Sequence, residues 1–258
     1  MHTDSKVSIL VVTHNHGDYL KQLLKSLENF QYENVYFCDA ASTDDTVEIL
    51  KESNFENQVL LKNKLEGFAK NNNDLIRHFQ LDSEYYLLLN PDVYFTEDFL
   101  TIMLQKFEQN PMTGITAPLV YYPDGSLQVT WKRFPSLSGV ILKRLGLRKA
   151  TDEQQAKAVQ IDWALGACLL VSHKLLKSNN SLLDERYRLY CEDIDICFEC
   201  KTKGLKIIGV EETFVFHHLN ELSAKKIWSK YNYWNLESIL KFVLKWNFKY
   251  FFRNVKKN

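Results

Sequence analysis

Short apolar runs alternate with amphipathic segments along the first third of the chain. The runs are rich in β-branched and aromatic residues, as in strands buried on both faces of a sheet, and the segments carry apolar residues at helical spacing. We expect strands over 7–12, 34–38, 58–62 and 85–89, and helices over 19–30, directly after 42–45, and over 67–79. This alternation predicts an α/β fold with a mostly parallel, Rossmann-like sheet flanked by helices.

The pattern changes after Pro111, where shorter apolar runs are separated by turns. Strands are expected over 114–118 and 119–125, over 162–171 with an interruption by small residues, and over 205–210 and 213–217. An amphipathic helix is expected to begin at Glu192 and to end at Gly204, because glycine favours helix ends. We take residues 1–223 as one catalytic domain and 224–258 as a basic, aromatic C-terminal helical segment.

Polar residues follow each strand of the first half, at Thr13–Asn15, Asp39, Asn63 and Asn90–Asp92. Ligands of such sheets bind beyond the carboxyl ends of the strands. A purely structural sheet has no need to end every strand in this way. The strand ends are therefore the first sign of a binding site.

Charge is balanced overall, with 32 Lys+Arg and 32 Asp+Glu, but it is unevenly distributed. From Ala224 to Asn258 there are nine basic residues, ten aromatic residues and one acid, and Trp131–Ala150 is a second basic stretch. Aromatic and basic residues together suit peripheral contact with an anionic membrane. The alternative is a helix that packs on the catalytic domain and exposes a basic face. No nucleic acid partner is expected.

Several common classes of protein are disfavoured by what the sequence lacks. There is no recognisable signal peptide and no run of 18 apolar residues. Five cysteines without a regular framework fit a reducing cytoplasm, so we expect a cytoplasmic protein whose contact with the inner face of the cell membrane is peripheral. The motifs GxxxxGK[ST], GxGxxG and GxSxG are absent. Cys197 and Cys200 form a CxxC without a second pair, so we expect two thiols on one side of a helix rather than a zinc or redox site.

Three groups of residues could carry chemistry. Asn90-Pro-Asp92 ends a buried strand and could offer a carboxylate to Mg²⁺ or Mn²⁺, although a plain Asx turn has the same residues. Glu192 and Asp193 begin a helix, where acids either cap the helix or serve as a general base. The pair His217–His218 ends an apolar strand and could complete a metal site. Each group alone leaves both interpretations open.

Taken in order, these motifs resemble the family 2 inverting glycosyltransferases of GT-A fold, particularly the rhamnosyltransferase-like branch. The similarity runs from about Val7 to Ser223, and several motifs in fixed order are more specific than any one of them. The similar segments are the opening strand and Thr-x-Asn loop (7–15), an Asp-x-x-Ser-x-Asp stretch (39–44), an Asn-x-x-x-Gly-Phe-Ala stretch (63–73), the metal motif (87–93), an acceptor-side segment (163–167), the catalytic loop (183–195) and a terminal His element (217–223).

The resemblance implies a nucleotide-diphosphate sugar donor, dTDP-rhamnose or a UDP-hexose, and a divalent metal, Mn²⁺ or Mg²⁺. It implies that Asp39 contacts the nucleotide base. The residues implied to line the nucleotide-sugar site are Thr13, Asn15, Asp39, Gly67, Asn73, Asn90 and Asp92. Asp92 would hold the metal with His217 or His218, and we prefer His218 because of its spacing to Ser223.

For the transfer step, the resemblance implies that Asp193 is the general base and that Glu192 orients the acceptor or the base. Trp163, Gly166 and Ala167 would lie on the acceptor side. The acceptor would be a hydroxyl of a growing cell-surface glycan or of a lipid-linked intermediate. One direct displacement inverts the anomeric carbon.

The chain departs from the family pattern at two positions. Asn90 replaces the first acid of the metal motif, and Glu66 stands where the branch often has a small polar residue or leucine. Two other classes remain as alternatives. One is a sugar-nucleotide nucleotidyltransferase, which would normally have a glycine-rich basic phosphate loop, and the other is a non-catalytic module that binds a sugar nucleotide or polysaccharide.

Overall fold

The computed structural model describes residues 6–134, 161–218 and 230–246. The helices are α1 Gly17–Asn29, α2 Thr46–Lys51, α3 Phe68–His78, α4 Phe99–Gln109, α5 Glu192–Thr202 and α6 Lys230–Trp246. The strands are β1 Val7–Thr13, β2 Val35–Ala40, β3 Val59–Lys62, β4 Tyr85–Leu89, β5 Val93–Tyr94, β6 Thr113–Tyr121, β7 Leu127–Gln128, β8 Trp131–Lys132, β9 Trp163–Ala164, β10 Cys168–Ser172 and β11 Lys206–His217.

Within these ranges the strands form a nine-stranded sheet in the order β3-β2-β1-β4-β10-β6-β11-β5, with β7 paired to β6. Strands β1 to β4, β6 and β11 run in one direction, and β5, β7 and β10 run in the other. A separate antiparallel pair joins β8 to β9. The predicted mostly parallel sheet is therefore confirmed, with antiparallel insertions in its second half.

Strand β1 lies in the interior of the sheet, between β2 and β4, and both of its faces are apolar. Ile9 and Val11 join one buried cluster, which contains residues of α1 and α4, and Leu10 joins a second cluster with residues of α3 and α5. Successive side chains of a strand point to opposite faces, so this one run fills two layers of core. The helices thus cover both faces of the sheet, as predicted.

Three details differ from the sequence prediction. The expected strands at 114–118 and 119–125 are one continuous strand, β6, and those at 205–210 and 213–217 are one strand, β11, with an irregularity between Val210 and Phe214. The expected strand 162–171 is divided between two sheets as β9 and β10. These differences arise because the extent of a strand depends on the strands with which it pairs. Those partners are distant in sequence and cannot be identified from one segment alone.

Helix α4 was not predicted, although its sequence contains the signal. Asp98 caps it by accepting a hydrogen bond from Thr101 N at 3.2 Å, and Phe99, Met103 and Phe107 follow at helical spacing on its buried side. The apolar residues stand on the face that packs against β6 and β11.

Helix α6 packs on the catalytic domain. Its Phe242 lies in a small cluster with Phe134, Tyr187 and Phe198. Packing of 230–246 on the rest of the chain is thus observed, but the basic exposed face of that alternative is not, since large apolar side chains are exposed there. Ser223, residues 224–229 and 247–258, and most of the basic stretch 131–150 lie outside the described residues. Within the described ranges, no helix combines the length and the apolar character that crossing a bilayer requires.

Candidate active site

The carboxyl ends of β1 and β2 meet at Thr13 and Asp39, which are register partners in the parallel pair. Thr13 Oγ1 donates a hydrogen bond to Asp39 Oδ1 at 2.9 Å, and the Ser42 hydroxyl donates to the same oxygen. Ser42 N donates to Asp39 Oδ2 at 2.9 Å. Asp39 is therefore buried and rigidly oriented, with an acceptor position on Oδ2 still available for a donor on a ligand.

The predicted neighbour Asn15 stands beside this pair in a left-handed backbone conformation, with φ of 57°. Its Oδ1 accepts from Thr43 N at 2.7 Å, and its own N–H donates to Ser42 Oγ at 2.9 Å. Asparagine tolerates this conformation better than most residues. Asn15 therefore locks the loop after β2 onto the loop after β1, and it is exposed at the rim of the pocket.

Asp92 lies at the end of the next strand, where β5 pairs with β11 and brings His217 opposite Val93. His217 Nε2 is 3.2 Å from Asp92 Oδ1, and both side chains are buried. Asn90 Nδ2 lies 3.4 Å from the same imidazole nitrogen. Tertiary pairing thus brings together a carboxylate and an imidazole that are 125 residues apart in the chain.

Gln128, which sequence reasoning missed, fixes the protonation of this imidazole. Its Nε2 donates to the His217 backbone oxygen at 2.6 Å, so its Oε1 faces His217 Nδ1 at 3.0 Å and accepts the proton there. A neutral His217 therefore carries its proton on Nδ1, and its unprotonated Nε2 lies against both the Asp92 carboxylate and the Asn90 amide. Two acceptors, His217 Nε2 and Asp92 Oδ1, thus lie next to one another, and a cation could be bound by both.

His218, which the spacing to Ser223 favoured as the metal ligand, has a different environment. Its Nε2 lies 2.6 Å from Gln22 Oε1, and its ring packs beside Tyr19 and Tyr94. Its backbone N–H donates to Asp92 O at 3.1 Å. Because adjacent strand residues point to opposite sides, only His217 of the pair places its imidazole against the Asp92 carboxylate.

The second half of the site is built around Glu192 and Asp193 at the start of α5. The two preceding residues, Tyr190 and Cys191, both have left-handed backbones, with φ of 67° and 71°. Non-glycine residues in this region are strained, and such strain is concentrated at functional sites. The turn directs the Asp193 carboxylate towards Gly166, whose N–H donates to Oδ2 at 3.2 Å, while Ile194 N donates to Oδ1 at 2.8 Å.

Burial changes the acidity of both carboxyl groups. Desolvation raises the pKa of Glu192, the negative charge of Asp193 raises it further, and desolvation also raises the pKa of Asp193. Among the described residues, Glu192 Oε2 is a buried oxygen with no hydrogen-bond partner. Buried polar atoms of this kind are uncommon and call for an explanation, which a bound acceptor hydroxyl could supply.

The predicted acceptor-side residues Gly166 and Ala167 connect the two halves. Ala167 O accepts from Asn90 N at 2.9 Å, next to the Asp92 turn, and Gly166 N holds Asp193. A Cβ atom at Gly166 would lie 3.4 Å from Asp193 Cβ. Because Gly166 and Ala167 are small, one short segment can contact both the Asp92 turn and the Asp193 carboxylate.

Trp163 lies on β9, half-buried beside the same junction. Its indole N–H donates to Arg133 O at 3.3 Å, and Lys132 Nζ lies 5.1 Å from the centre of its ring. The ring packs against both the second core cluster and the cluster that contains Phe242. Its contacts are compatible with a wall of the acceptor site.

Asn73 was expected to line the nucleotide-sugar site, but its buried side chain is used elsewhere. Its Oδ1 accepts from Leu182 N and Leu183 N at 2.9 and 3.0 Å, and its Nδ2 donates to Leu183 O and Glu185 Oε1 at 2.9 and 3.0 Å. An amide with these four bonds has no capacity left for a ligand. The structure therefore assigns Asn73 to support of the segment before the catalytic loop.

Gly67 has a similar place at the start of α3. A Cβ atom there would lie 2.6 Å from the backbone oxygen of Arg188, and Phe68 N donates to that oxygen at 3.2 Å. Glycine is required because the two backbones touch. Gly67 thus joins the start of α3 to the segment that leads into α5, and the neighbouring Glu66 pairs with Lys62.

His16 is another residue that sequence reasoning passed over. It lies between Asp39, Asp44 and Asp92, and burial lowers the pKa of its imidazole in spite of these charges. His14 N donates to its Nδ1 at 2.9 Å, so the neutral ring carries its proton on Nε2. The polar residues of the loop after β1 were the sequence feature that could have identified His16.

The thiols of Cys197 and Cys200 are buried on α5, and burial raises the pKa of both.

The donor set at Asp92 and His217 fits a divalent cation. In the described part of the chain, no cluster of three or more His, Cys, Asp or Glu residues could enclose a metal by itself. Mg²⁺ and Mn²⁺ are commonly held by one or two protein ligands together with water and phosphate oxygens. A two-ligand centre open to the strand ends is therefore suited to a cation that arrives with a diphosphate.

Comparison with known proteins adds independent findings. A model of the family described as glycosyl transferase family 2 matches residues 8–178, about two thirds of the chain. Rhamnosyltransferase WbbL of Escherichia coli K12 is 26% identical over 248 residues, covering 92% of each protein. The N-acetylglucosaminyl-diphospho-decaprenol L-rhamnosyltransferase of Mycobacterium tuberculosis is 24% identical and covers 81% of this chain and 75% of its own length.

Solved structures share the fold at lower identity. GalNAc-T7 with UDP, GalNAc and Mn²⁺ superposes with a TM-score of 0.65 at 15% identity over 96% of this chain, which spans about half, 49%, of that chain's length. The mannosyltransferase PcManGT of Pyrobaculum calidifontis, in complex with GDP-Man and Mn²⁺, gives 0.58 at 16% identity, covering 93% of this chain and 63% of its own. The predicted GT-A fold is confirmed.

Proposed function

The chain belongs to glycosyl transferase family 2, and from that premise we propose that it is an inverting, metal-dependent hexosyltransferase. The donor we propose is a nucleotide-diphosphate sugar, dTDP-rhamnose or a UDP-hexose, because two of the relatives are named as rhamnosyltransferases. The acceptor is a hydroxyl of a growing cell-surface glycan or of a lipid-linked intermediate. The mycobacterial relative, named for a diphospho-decaprenol substrate, supports the lipid-linked form.

The donor would bind across the carboxyl ends of β1, β2 and β4. Asp39, held by Thr13 and Ser42, accepts a hydrogen bond from the nucleotide base. Asn15 forms the exposed rim of this pocket, and the neutral His16 offers its Nε2–H near the diphosphate. Asn90 stands between the base pocket and the acceptor junction.

Asp92 and His217 would hold a divalent cation, Mn²⁺ or Mg²⁺, with Gln128 keeping the Nε2 lone pair of His217 available. When bound, the cation neutralises the negative charge that develops on the departing diphosphate. We now favour His217 over His218 as the second ligand, because the His218 imidazole is directed to Gln22. Two structural relatives, GalNAc-T7 and PcManGT, were solved with Mn²⁺, which supports a metal in this fold.

Asp193 is the proposed general base. Its two oxygens are oriented by Gly166 N and Ile194 N, and each keeps a lone pair for an acceptor hydroxyl. As the acceptor oxygen attacks the anomeric carbon, its proton passes to Asp193 and the bond to the diphosphate breaks on the opposite face, with the electron pair leaving on the diphosphate. Glu192 orients the acceptor, and its elevated pKa allows it to donate a hydrogen bond as a neutral acid.

One observation carries the proposal: residues 166–167 bind the Asp92 turn on one side and Asp193 on the other. This arrangement supports a displacement in which the leaving diphosphate and the base act from opposite sides of one sugar.

The proposal has two further parts. The chain is divided into a catalytic domain, 1–223, and a C-terminal segment, 224–258, and that segment makes peripheral contact with an anionic membrane.

A panel of nucleotide sugars with Mn²⁺ tests the proposal. We expect one donor to raise the melting temperature, that donor to be hydrolysed slowly without acceptor, and transfer to a hydroxyl acceptor to invert the anomeric centre, as read by NMR. EDTA should abolish both donor stabilisation and turnover. Turnover at saturating EDTA would refute metal dependence, and retention of the anomeric configuration would refute the displacement mechanism.

The alternatives fit the site less well. In a nucleotidyltransferase, the loop after β1 would have to be open to phosphate, but here Gly17 N already donates to Asp44 Oδ2 at 3.1 Å, and Asp45 lies directly against Gly17. A binding module without catalysis has no need of two adjacent, half-buried carboxyl groups with raised pKa values. Neither alternative accounts for the Asp193–Gly166 arrangement.

A further inference from the structure

Besides the buried Phe242, helix α6 turns several polar side chains towards the domain, and its outer face exposes apolar side chains where an ordinary surface helix exposes polar ones. On its inner face, Lys245 Nζ lies 2.6 Å from Asp195 Oδ2 and 2.8 Å from Asp184 Oδ2, and Trp246 Nε1 donates to Asp195 Oδ1 at 2.7 Å. Ser238 Oγ, also on this face, donates to Leu189 O at 2.9 Å. The inner face is therefore a hydrogen-bonding surface.

The outer face is a stripe of large apolar side chains at helical spacing: Tyr233, Leu236, Leu240 and Leu244. Their exposed fractions are 68%, 69%, 59% and 64%. Ile239, at the edge of the stripe, is 47% exposed. At 1.5 Å per residue, the stripe extends for roughly 16 Å. We call it the apolar stripe of α6.

The concentration of these residues is specific to α6. Within the described ranges, eight large hydrophobic residues are exposed, and five of them lie on this one helix, while Leu61, Met112 and Val129 are scattered over the remainder. Single exposed apolar residues are normal, but a contiguous stripe marks a surface that contacts something less polar than water.

The chain that continues from the helix indicates what covers the stripe. Residues 247–258 contain four aromatic residues, four basic residues and no acid, and Ala224–Asn258 as a whole has nine basic residues and one acid. A protein partner would have to match this excess of positive charge with acids. An anionic bilayer provides negative headgroups for the cations and, just below them, an apolar layer for leucine and aromatic rings.

The inner face of α6 also holds the segment that leads to the catalytic carboxylates. Besides the bonds of Ser238 and Lys245, Lys241 Nζ donates to Arg186 O at 2.9 Å, and the Arg188 guanidinium stacks 4.1 Å above the ring of Trp234. Glu192 and Asp193 follow directly in this segment. A surface bound to the outer face of α6 is thus one helix diameter from the acceptor side of the site.

We propose that the apolar stripe of α6 docks on the interface of an anionic bilayer and so presents residues 184–193 to an acceptor at the membrane. The part concerning the acceptor rests on the proposed function. Docking requires only a helix lying in the interface and no membrane-spanning segment. Because α6 is fixed to the catalytic loop, it sets both the attachment of the enzyme and the orientation of its acceptor site.

The test is co-sedimentation of the full chain with vesicles of phosphatidylglycerol and phosphatidylethanolamine, compared with phosphatidylcholine alone. The double variant Leu236→Glu with Leu240→Glu should bind the anionic vesicles at least about tenfold more weakly, because it places two charges in an apolar layer. Leu61→Glu, a similarly exposed leucine on β3, is the matched control and should bind as the unaltered chain does. The pair Leu236→Gln with Leu240→Gln provides a milder substitution.

Equal sedimentation of the double variant and the Leu61→Glu control would overturn the proposal. The proposal would also be overturned if the unaltered chain did not bind vesicles and light scattering showed it to be a dimer that the double variant converts to a monomer. The stripe would then be a contact between copies of the chain. Hydrolysis of the nucleotide sugar in vesicle-free buffer should be unchanged in the double variant. Loss of membrane docking is thereby distinguished from failure of the proposed glycosyl transfer.

Discussion

Gln128 fixes the tautomer of His217: the amide donates to the histidine backbone oxygen at 2.6 Å and accepts from Nδ1 at 3.0 Å. The bond leaves the unprotonated Nε2 against Asp92 and Asn90. Partners of metal-binding histidines characteristically act in this way, by orienting the ring and determining which nitrogen is free. The relationship leads to a test of the metal site that does not remove either proposed ligand.

Gln128→Met should weaken Mn²⁺ binding in the presence of the nucleoside diphosphate by about 10–100-fold, because the imidazole loses its orienting bond. The measurement is isothermal titration of Mn²⁺. Gln22→Met is the control, since the Gln22 amide oxygen contacts the imidazole of the neighbouring His218, at Nε2. If the Gln22 variant loses the affinity and the Gln128 variant keeps it, His218 is the ligand and our preference for His217 is wrong.

Asp193→Asn should lower turnover by about 100-fold to 10,000-fold, because the acceptor proton loses its base. The amide preserves the shape of the side chain, so the dissociation constant of the donor should change little. Steady-state transfer and donor titration measure the two quantities separately. Asp18→Asn, on the exposed first turn of α1, is the control. Turnover near that of the unaltered protein would exclude Asp193 as the base.

Glu192→Gln should increase stability at alkaline pH relative to the unaltered protein. Burial and Asp193 raise the pKa of Glu192, so the folded state retains a proton that the unfolded state has lost. The Glu192 carboxyl group therefore contributes stability that is fully present below its unfolded pKa of about 4.3 and that is lost as the pH rises towards the folded pKa. Melting temperatures from pH 5 to 8 should diverge progressively, with the variant melting higher. Parallel curves would show that Glu192 is not held as a neutral acid.

Asn73→Ala should destabilise the fold by about 2–4 kcal/mol, because the amides of Leu182 and Leu183 lose their acceptor and are left buried. Transfer should fall more than donor affinity does, since the segment before the catalytic loop loosens while the base pocket is untouched. Urea unfolding and donor titration give the two measurements. Asn72→Ala, equally buried on α3 but bonded only to its own helix, should leave the ratio of transfer to donor affinity unchanged. A selective loss of donor affinity in the Asn73 variant would instead support a direct contact with the nucleotide sugar.

Much of the fold could be predicted because its strongest signals are local. The run Val7–Thr13 reads as a buried strand by composition, and the same holds for Tyr85–Leu89. Helix α3 follows from apolar residues spaced along one face, with Gly67 as its N-cap. Helix α4 has equally clear local signals, the Asp98 cap and the spacing of Phe99, Met103 and Phe107, so its position too is encoded in the sequence.

The division of strands could not be obtained in the same way. Segment 162–171 contains one apolar pattern, yet its first part pairs with β8 and its second with β4 and β6. The partners are distant in sequence, and strand propensity depends on the neighbours that a strand acquires in the sheet.

The sequence by itself determined the family, the order of the motifs and the identity of the carboxylates, because these depend on which residues follow one another. Asp39, Asp92, Glu192 and Asp193 could all be named from the chain. Only the tertiary structure decided what surrounds them: β5–β11 pairing brings the imidazole of His217, and not that of His218, against Asp92, and Gln128 orients it. The Asn73 amide is bonded to Leu182, Leu183 and Glu185. A hydrogen bond depends on distances of a fraction of an ångström between groups that may be a hundred residues apart, and those distances exist only once the sheet has formed.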